Sequence, residues 1–232
     1  LASKMFRMQV YENIRIIREK IERAAIRSGR SADDVSLVAV TKNQPVEAIM
    51  QLLQAGIVDL GENRSQELVS KNGELEGRIN WHFIGHLQRN KVRYIIPFVY
   101  LIQSVDSMAL AREISAGAKR INKVQDVLLE VNVSGEATKH GFAPDEVAEA
   151  LDELVLLGNV RVKGLMTMAP LEDDAELTRP HFAKLKKLYD SISSRQERNI
   201  EMEYLSMGMS NDFEVAIEEG SNMVRIGTAI FI

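Results

Sequence analysis

Apolar residues near the start of the chain return every third or fourth position. Val10, Ile14, Ile17, Ile21 and Ala24 share one face of a helix predicted over residues 9–28, with Glu, Arg and Lys on the other face and Gly29 as its stop. After that the period changes, and short β-branched runs alternate with longer helical patterns to the end. The runs predict strands at Ser36–Thr41, Val58–Gly61, His82–Gly85, Leu101–Ser104, Val127–Val133, Lys163–Met166, Glu203–Ser206 and Met223–Ile226. A helix-like segment follows nearly every one, clearest at Val46–Ala55, Met108–Ile121, Asp145–Leu156 and His181–Arg195. Pro45 and Pro144 stand where a first helical turn accepts proline. About eight strands in regular βα alternation predict an α/β fold with a parallel sheet. The count favours a closed (β/α)8 barrel of the TIM type over an open, doubly wound sheet. No low-complexity segment or Pro/Gly/Ser-rich hinge divides the chain, so residues 1–232 read as one domain, with residues 1–30 as an extra N-terminal helix packed on the barrel.

Composition narrows the partners. Of 232 residues 45% are hydrophobic and 27% charged, and 29 basic against 33 acidic residues leave a net charge of −4. That balance gives no reason to expect nucleic acid or an acidic membrane as partner, while a small anion needs only a local positive site. The absence of cysteine excludes disulfides, thiol nucleophiles and thiolate metal sites, and fits a cytoplasmic protein. The most apolar stretch, Tyr94 to Ile102, is roughly half the ~18 residues of a spanning helix. Residues 1–9 lack the apolar core of a secretory signal. The chain starts without Met and stops after Ile230-Phe231-Ile232, which reads as a sequence with residues missing at both ends.

In a βα barrel the side chains that do chemistry stand where strands end. Polar, ionisable and glycine residues recur at almost every predicted exit: Thr41-Lys42-Asn43, Gly61-Glu62-Asn63-Arg64, Gly85-His86-Leu87-Gln88, Gln103-Ser104, Asn132-Val133-Ser134, Met166-Thr167-Met168, Ser206 to Ser210, and Arg225-Ile226-Gly227-Thr228. Lys42 follows the apolar run Leu37–Val40, so a place at the barrel mouth above apolar walls is expected, where desolvation favours a neutral, nucleophilic amine. A solvated lysine at a strand end is the commoner fate. Ser206-Met-Gly-Met-Ser210-Asn-Asp leads into a helix, and Gly227-Thr228 follows the last strand. Together they suit a phosphate, which this architecture usually holds after strands seven and eight; taken singly, each reads equally as a capped glycine turn. Arg225 is a donor without acceptor function, and a structural salt bridge is its alternative role. His82, His86, His140 and His181 show no metal-ligand spacing, so no metal site is expected. Met166, Met168, Met207 and Met209 read as pocket lining or core filler.

Six segments in order, Val38-Ala-Val-Thr-Lys42, Gly61-Glu-Asn-Arg64, Trp81 to Lys91 (WHFIGHLQRNK), Gly164-Leu-Met-Thr-Met168, Leu205 to Asp212 (LSMGMSND) and Val224-Arg-Ile-Gly-Thr228, together resemble the pyridoxal phosphate homeostasis proteins, the YggS/PROSC family. The likeness covers essentially the whole chain. It implies the N-terminal barrel of alanine racemase (fold type III), with pyridoxal 5′-phosphate (PLP) as cofactor and Lys42 forming the internal aldimine. It further implies Asn63 and His86 beside the cofactor ring, Ser210, Gly227 and Thr228 on the phosphate, Ser206 and Met207 on the adjoining wall, and Arg225 facing the pyridine nitrogen. A guanidinium there keeps the ring nitrogen unprotonated and makes it a poor electron sink.

Three functions fit such a site: a non-catalytic protein that holds and delivers PLP, a PLP-dependent amino-acid racemase, and a cofactor-free lysine aldolase. Racemisation needs a second acid/base group opposite Lys42. In alanine racemase it is a tyrosine from a C-terminal β domain that this sequence does not show, and neither Tyr94, Tyr100 nor Tyr204 replaces it; His86 is the remaining candidate. The expectation is a PLP carrier with little or no turnover, monomeric, with apo-enzymes as transient partners.

Overall fold

The apolar runs hydrogen-bond in sequence order into a closed, all-parallel barrel of eight strands. The computed structural model describes residues 2–136, 138–195 and 197–232, with side chains from residue 9 onward. The strands are β1 (Ser36–Val40), β2 (Asp59–Glu62), β3 (Asn80–Phe83), β4 (Leu101–Val105), β5 (Gln125–Glu130), β6 (Val160–Met166), β7 (Ile200–Ser206) and β8 (Met223–Ile226). The barrel closes where β1 pairs with β8, Ala39 opposite Ile226. The intervening helices are α2 (Val46–Gln54), α3 (Ser65–Glu74), α4 (Val92–Ile95), α5 (Met108–Arg120), α6 (Val147–Leu154), α7 (Arg179–Ile192) and α8 (Phe213–Glu218), with α9 (Thr228–Phe231) after the last strand. Among the described residues no helix is long and apolar enough to cross a membrane.

The first helix, α1 (Ala2–Arg27), begins before the predicted start and buries the predicted stripe, Val10, Ile14, Ile17, Ile21 and Ala24 all being at most 4% exposed. Each such large side chain contributes about 1.5–3 kcal/mol by leaving water. Against α8 and α9 the helix also uses polar anchors. Asn13 donates to the carbonyls of Ile230 (3.0 Å) and Ile232 (3.1 Å), and Arg27 pairs with Glu214 and Glu218. The last turn of the chain, next to the exit of β8, is thereby tied down.

Two apolar layers follow from the alternation of each strand. The larger lies between strands and helices; the smaller, of Val38, Leu101, Leu128, Met166 and Met223, fills the barrel interior. Pairing of β6 with β7 shifts register between Val162 and Gly164. Gly164 has φ +143°, and a Cβ there would stand 1.8 Å from the Tyr204 carbonyl oxygen. Only glycine permits that approach. Gly164→Ala is expected to cost about 3 kcal/mol or more through strain and overpacking; urea denaturation measures it, and a loss below about 1 kcal/mol would contradict the described register.

Candidate functional site

At the C-terminal ends of the strands a cleft of about 370 Å³ opens, a size suited to a small ligand. Its walls come from the exits of β1, β6, β7 and β8, and Lys42, Ser210, Arg225, Gly227 and Thr228 line it together. These lie far apart in sequence, and the barrel closure between β1 and β8 brings them to one place.

Lys42 sits in the turn after β1 and is exposed, so the desolvation expected from the apolar run before it is absent. The turn itself is fixed. Lys71 of α3, nearly buried, donates to the Thr41 carbonyl (2.7 Å), to Glu62 Oε1 (2.7 Å) and to Glu67 Oε1 (2.6 Å). The Thr41 hydroxyl donates to the same Glu62 oxygen, 2.6 Å away. On the far side of Lys42 the Asn43 N–H donates to Glu67 Oε1 (2.7 Å), with Asn43 in the left-handed region at φ 61°. One buried ion cluster thus holds the residue before Lys42 and the residue after it.

Arg225 is 3% exposed and makes a buried row of hydrogen bonds across the barrel. Its Nη1 donates to Ser206 Oγ (2.6 Å) and its Nη2 to the Thr167 carbonyl (2.8 Å). Ser206 donates to Gln103 Oε1 (2.7 Å), and the Gln103 amide nitrogen lies 2.9 Å from His82 Nδ1. His82 Nε2 stands 3.1 Å from Asp59 Oδ1 at the other end of the barrel. Because a guanidinium only donates, each hydrogen in this row points the same way: Ser206 must give its proton to Gln103, the amide donates to Nδ1, and His82 carries its proton on Nε2, toward Asp59. Burial alone would raise the Asp59 carboxyl; hydrogen bonds from His82 and Asn80 outweigh it and hold the group below its usual range. Full burial pushes Arg225 down to about 10, against the pull of Asp212 and Glu130, so it is charged at neutral pH with donors left for the cleft.

Opposite lies an anion-type turn. Ser210 Oγ accepts from Gly227 N–H and Ala229 N–H, both at the long distance of 3.3 Å. Asp212 Oδ1 accepts from Met209 N–H at 2.6 Å and closes the preceding loop. Gly208, at φ +96°, lets that loop pass over α8, where a Cβ would meet Ala216 Cβ at 2.6 Å.

Other sequence candidates are placed differently. Ser206 is fully buried and acts on the cleft through Arg225. Met207 is also fully buried, in the apolar layer between strands and helices, and its side chain does not line the cleft; the alternation of β7 turns it outward. Asn63 and His86 lie at the exits of β2 and β3. The buried Asn63 Oδ1 has no hydrogen-bond partner among the described residues, and Gly85 leaves room for it, since a Cβ there would stand 2.4 Å from the Asn63 carbonyl oxygen. His86 is exposed, with Nδ1 2.9 Å from Asp106 Oδ2.

PLP offers a phosphate, a ring nitrogen and an aldehyde, and the residues present fit it. Ser210, Gly227 and Thr228 would take the phosphate, the unspent Arg225 donors an acceptor nitrogen, and Lys42 the aldehyde; Asn63 and His86, at the exits of β2 and β3, are not among the residues that line the cleft.

Sequence reasoning missed the Lys71 cluster, the Gln103–His82–Asp59 row and Glu130. Glu130 ends β5 at 5% exposure; burial, then the neighbouring Asp106, raise it to about 7, with Arg225 and His86 opposing. The polar residue at a strand exit was its available signal.

Two outcomes follow. Lys71→Met strands the Glu62 carboxylate and is expected to cost about 3–5 kcal/mol in urea denaturation, with Glu62→Gln restoring part of the loss in the double variant; a single-variant loss below about 1 kcal/mol would contradict the buried cluster. Glu130 binds its proton more tightly folded than unfolded, so its contribution to stability is present below the unfolded value and is lost as pH rises from about 4.5 to about 7. Between those pH values Glu130→Gln should therefore gain roughly 3 kcal/mol relative to the parent chain. Parallel stability curves for the two proteins would refute the shift.

Comparison with known proteins bears on the whole chain. The family model described as alanine racemase, N-terminal domain, matches residues 9–232. A pyridoxal phosphate homeostasis protein of Aquifex aeolicus (strain VF5) is 44% identical over 225 residues, covering 97% of this chain and 98% of that protein. A crystal structure from Bifidobacterium adolescentis aligns with TM-score 0.92 at 35% identity, over 98% of this chain and 96% of that one. PipY of Synechococcus elongatus PCC7942, solved with PLP bound, aligns with TM-score 0.83 at 31% identity, over 96% of this chain and all (100%) of PipY. With a closed eight-stranded barrel, the ordered motifs and relatives matched end to end, the chain belongs to the pyridoxal phosphate homeostasis protein family, on the alanine racemase N-terminal barrel.

Proposed function

We propose that this chain binds PLP covalently through Lys42 and serves cofactor homeostasis by holding it and handing it on, with little or no turnover. The observation that carries this reading is one cleft in which a clamped lysine turn, a Ser/Gly anion turn and a buried donor-only arginine meet. Support comes from the PLP bound to PipY and from the names of the similar relatives. Bound there, PLP supplies an aldehyde that takes up amines and a ring that withdraws electrons in proportion to its protonation. Arg225 cannot accept a proton from the ring nitrogen and holds it as an acceptor, which disfavours carbanion chemistry. Lys71, Glu62 and Glu67 fix the turn without burying Lys42, so the amine stays accessible for exchange. In this reading the barrel is one cofactor-binding domain, with residues 1–30 as its buttress. The protein acts in the cytoplasm as a monomer and meets apo-enzymes transiently.

A second reading, an amino-acid racemase, requires an acid/base group facing Lys42; Glu130, raised to about 7 by burial, has the proton affinity for such work but stands at the end of β5 and does not line the Lys42 cleft. Two measurements decide. PLP-loaded parent chain should show a visible absorption band that Lys42→Ala lacks, and should restore activity to an apo-enzyme mixed with it. A colourless chain that takes up no PLP, or a band unchanged in Lys42→Ala, would overturn the site. Racemisation of single-enantiomer amino acids at about 1 s⁻¹ or faster would overturn the carrier in favour of the racemase.

A further inference from the structure

The hydrogen-bonded row behind Arg225 contains two members that can face either way. A hydroxyl both donates and accepts, and a primary amide can turn end for end, so Ser206 and Gln103 have no polarity of their own. Their neighbours impose it. Asp59 Oδ1 accepts from Asn80 Nδ2 at 3.0 Å and stands 3.1 Å from His82 Nε2, so the imidazole proton lies on that side and Nδ1 is bare. A bare Nδ1 accepts, which turns the amide nitrogen of Gln103 toward it, 2.9 Å away. The second amide hydrogen goes to Met223 Sδ at 3.2 Å. Two acceptors thus fix the nitrogen end of Gln103, and its Oε1 faces the Ser206 hydroxyl at 2.7 Å.

Ser206 has one hydrogen to give. Spent on Gln103, it leaves only lone pairs toward Arg225, whose Nη1 donates to them at 2.6 Å. With the Thr167 carbonyl on Nη2, the guanidinium is held at two points, and Thr167 is itself tied by its hydroxyl to the Val131 carbonyl at 2.7 Å. Gln103, Ser206 and His82 are at most 1% exposed, and neither Gln103 nor His82 lines the Lys42 cleft. The barrel interior around them is filled by Val38, Leu101, Leu128, Met166 and Met223. An apolar filling throughout would avoid the desolvation of three polar side chains. What the polar row supplies in exchange is an acceptor of fixed direction beneath Arg225.

We propose that Gln103 is a positioning residue for the ligand ring: by fixing the direction of the Ser206 hydroxyl, it holds the Arg225 guanidinium so that its free hydrogens are offered to an acceptor atom in the cleft. This role rests on the reading of the cleft as a PLP site. The feature it selects is an unprotonated ring nitrogen, and Gln103 acts on it without touching it. Sequence spacing hides this role, since Gln103 belongs to β4 while Ser206 and Arg225 belong to β7 and β8.

Two variants separate positioning from packing. Gln103→Leu fills the same space but frees the Ser206 hydroxyl, whereas Gln103→Glu keeps an oxygen that accepts from Ser206. PLP should bind about 10-fold more weakly to Gln103→Leu, the worth of one hydrogen bond to a charged group, and Gln103→Glu should recover most of that loss. The nitrogen NMR resonance of ring-labelled PLP should move in Gln103→Leu and return toward the parent position in Gln103→Glu. Ser206→Ala removes the acceptor itself and should move the resonance as Gln103→Leu does, so the test survives if Gln103→Leu fails to fold, which its thermal melt reveals. A check that needs no cofactor is the imidazole nitrogen spectrum of the chain without PLP, which should show His82 protonated on Nε2 and bare on Nδ1. A His82 proton on Nδ1, or affinity and ring resonance unchanged from the parent in both Gln103→Leu and Ser206→Ala, would overturn the proposal. If the parent chain takes up no PLP, the cofactor reading fails and this role falls with it; if Lys42 takes up PLP and the variants do not differ, this inference alone fails.

Discussion

Everything at the cofactor side of the mouth depends on Arg225 being buried as a cation that can only donate. A charge in that position is costly, and the barrel offsets the cost with acceptors, the Ser206 hydroxyl and the Thr167 carbonyl, and with the acids Asp212 and Glu130. The consequences run the full depth of the barrel. Each member passes its hydrogen onward until His82 delivers one to Asp59, near the opposite end. A polar row of this kind is stable only if complete, so a lost member exposes its neighbours as unpaired buried groups. It also places a donor of fixed direction in the cleft, which under the proposed function selects for a ring atom that accepts.

Lys42 is managed in the opposite way. Its side chain is left open to solvent while the backbone on either side is tied to the buried Lys71–Glu62–Glu67 cluster. Fixed backbone with an accessible amine suits capture and release of an aldehyde. A catalytic lysine is more often enclosed, where water is excluded and its basicity is tuned by burial.

Much of this was legible in the sequence because a βα barrel repeats one rule eight times. Period-2 and period-3.6 runs located all eight strands, and the exits of β1, β7 and β8 pointed to Lys42, Ser210, Arg225, Gly227 and Thr228, which the fold brings together. The failures have local causes. The β-branched run predicts a strand through Val133; the ladder stops at Glu130, and Val131 instead bridges to Phe142. The predicted strand overruns the end of β5 by three residues and so hides the acid at its true end. Lys71 sits on a helix of mixed pattern and would be placed in solvent by composition; only the tertiary arrangement shows that it is nearly buried against Glu62. Met207 was grouped with its polar neighbours although strand alternation turns it to the outer layer. The direction of the Arg225 row is likewise invisible in sequence, because its members come from β2, β3, β4, β7 and β8.

The central claim is that one lysine among many carries the cofactor because its turn is held beside the anion site and Arg225. The most direct check is to load the chain with PLP, reduce it with borohydride, digest it, and map the pyridoxyl mass by tandem mass spectrometry. The account predicts a single modified peptide with the label on Lys42. A label spread over surface lysines such as Lys119 and Lys187, or concentrated on a lysine outside the cleft, would contradict it.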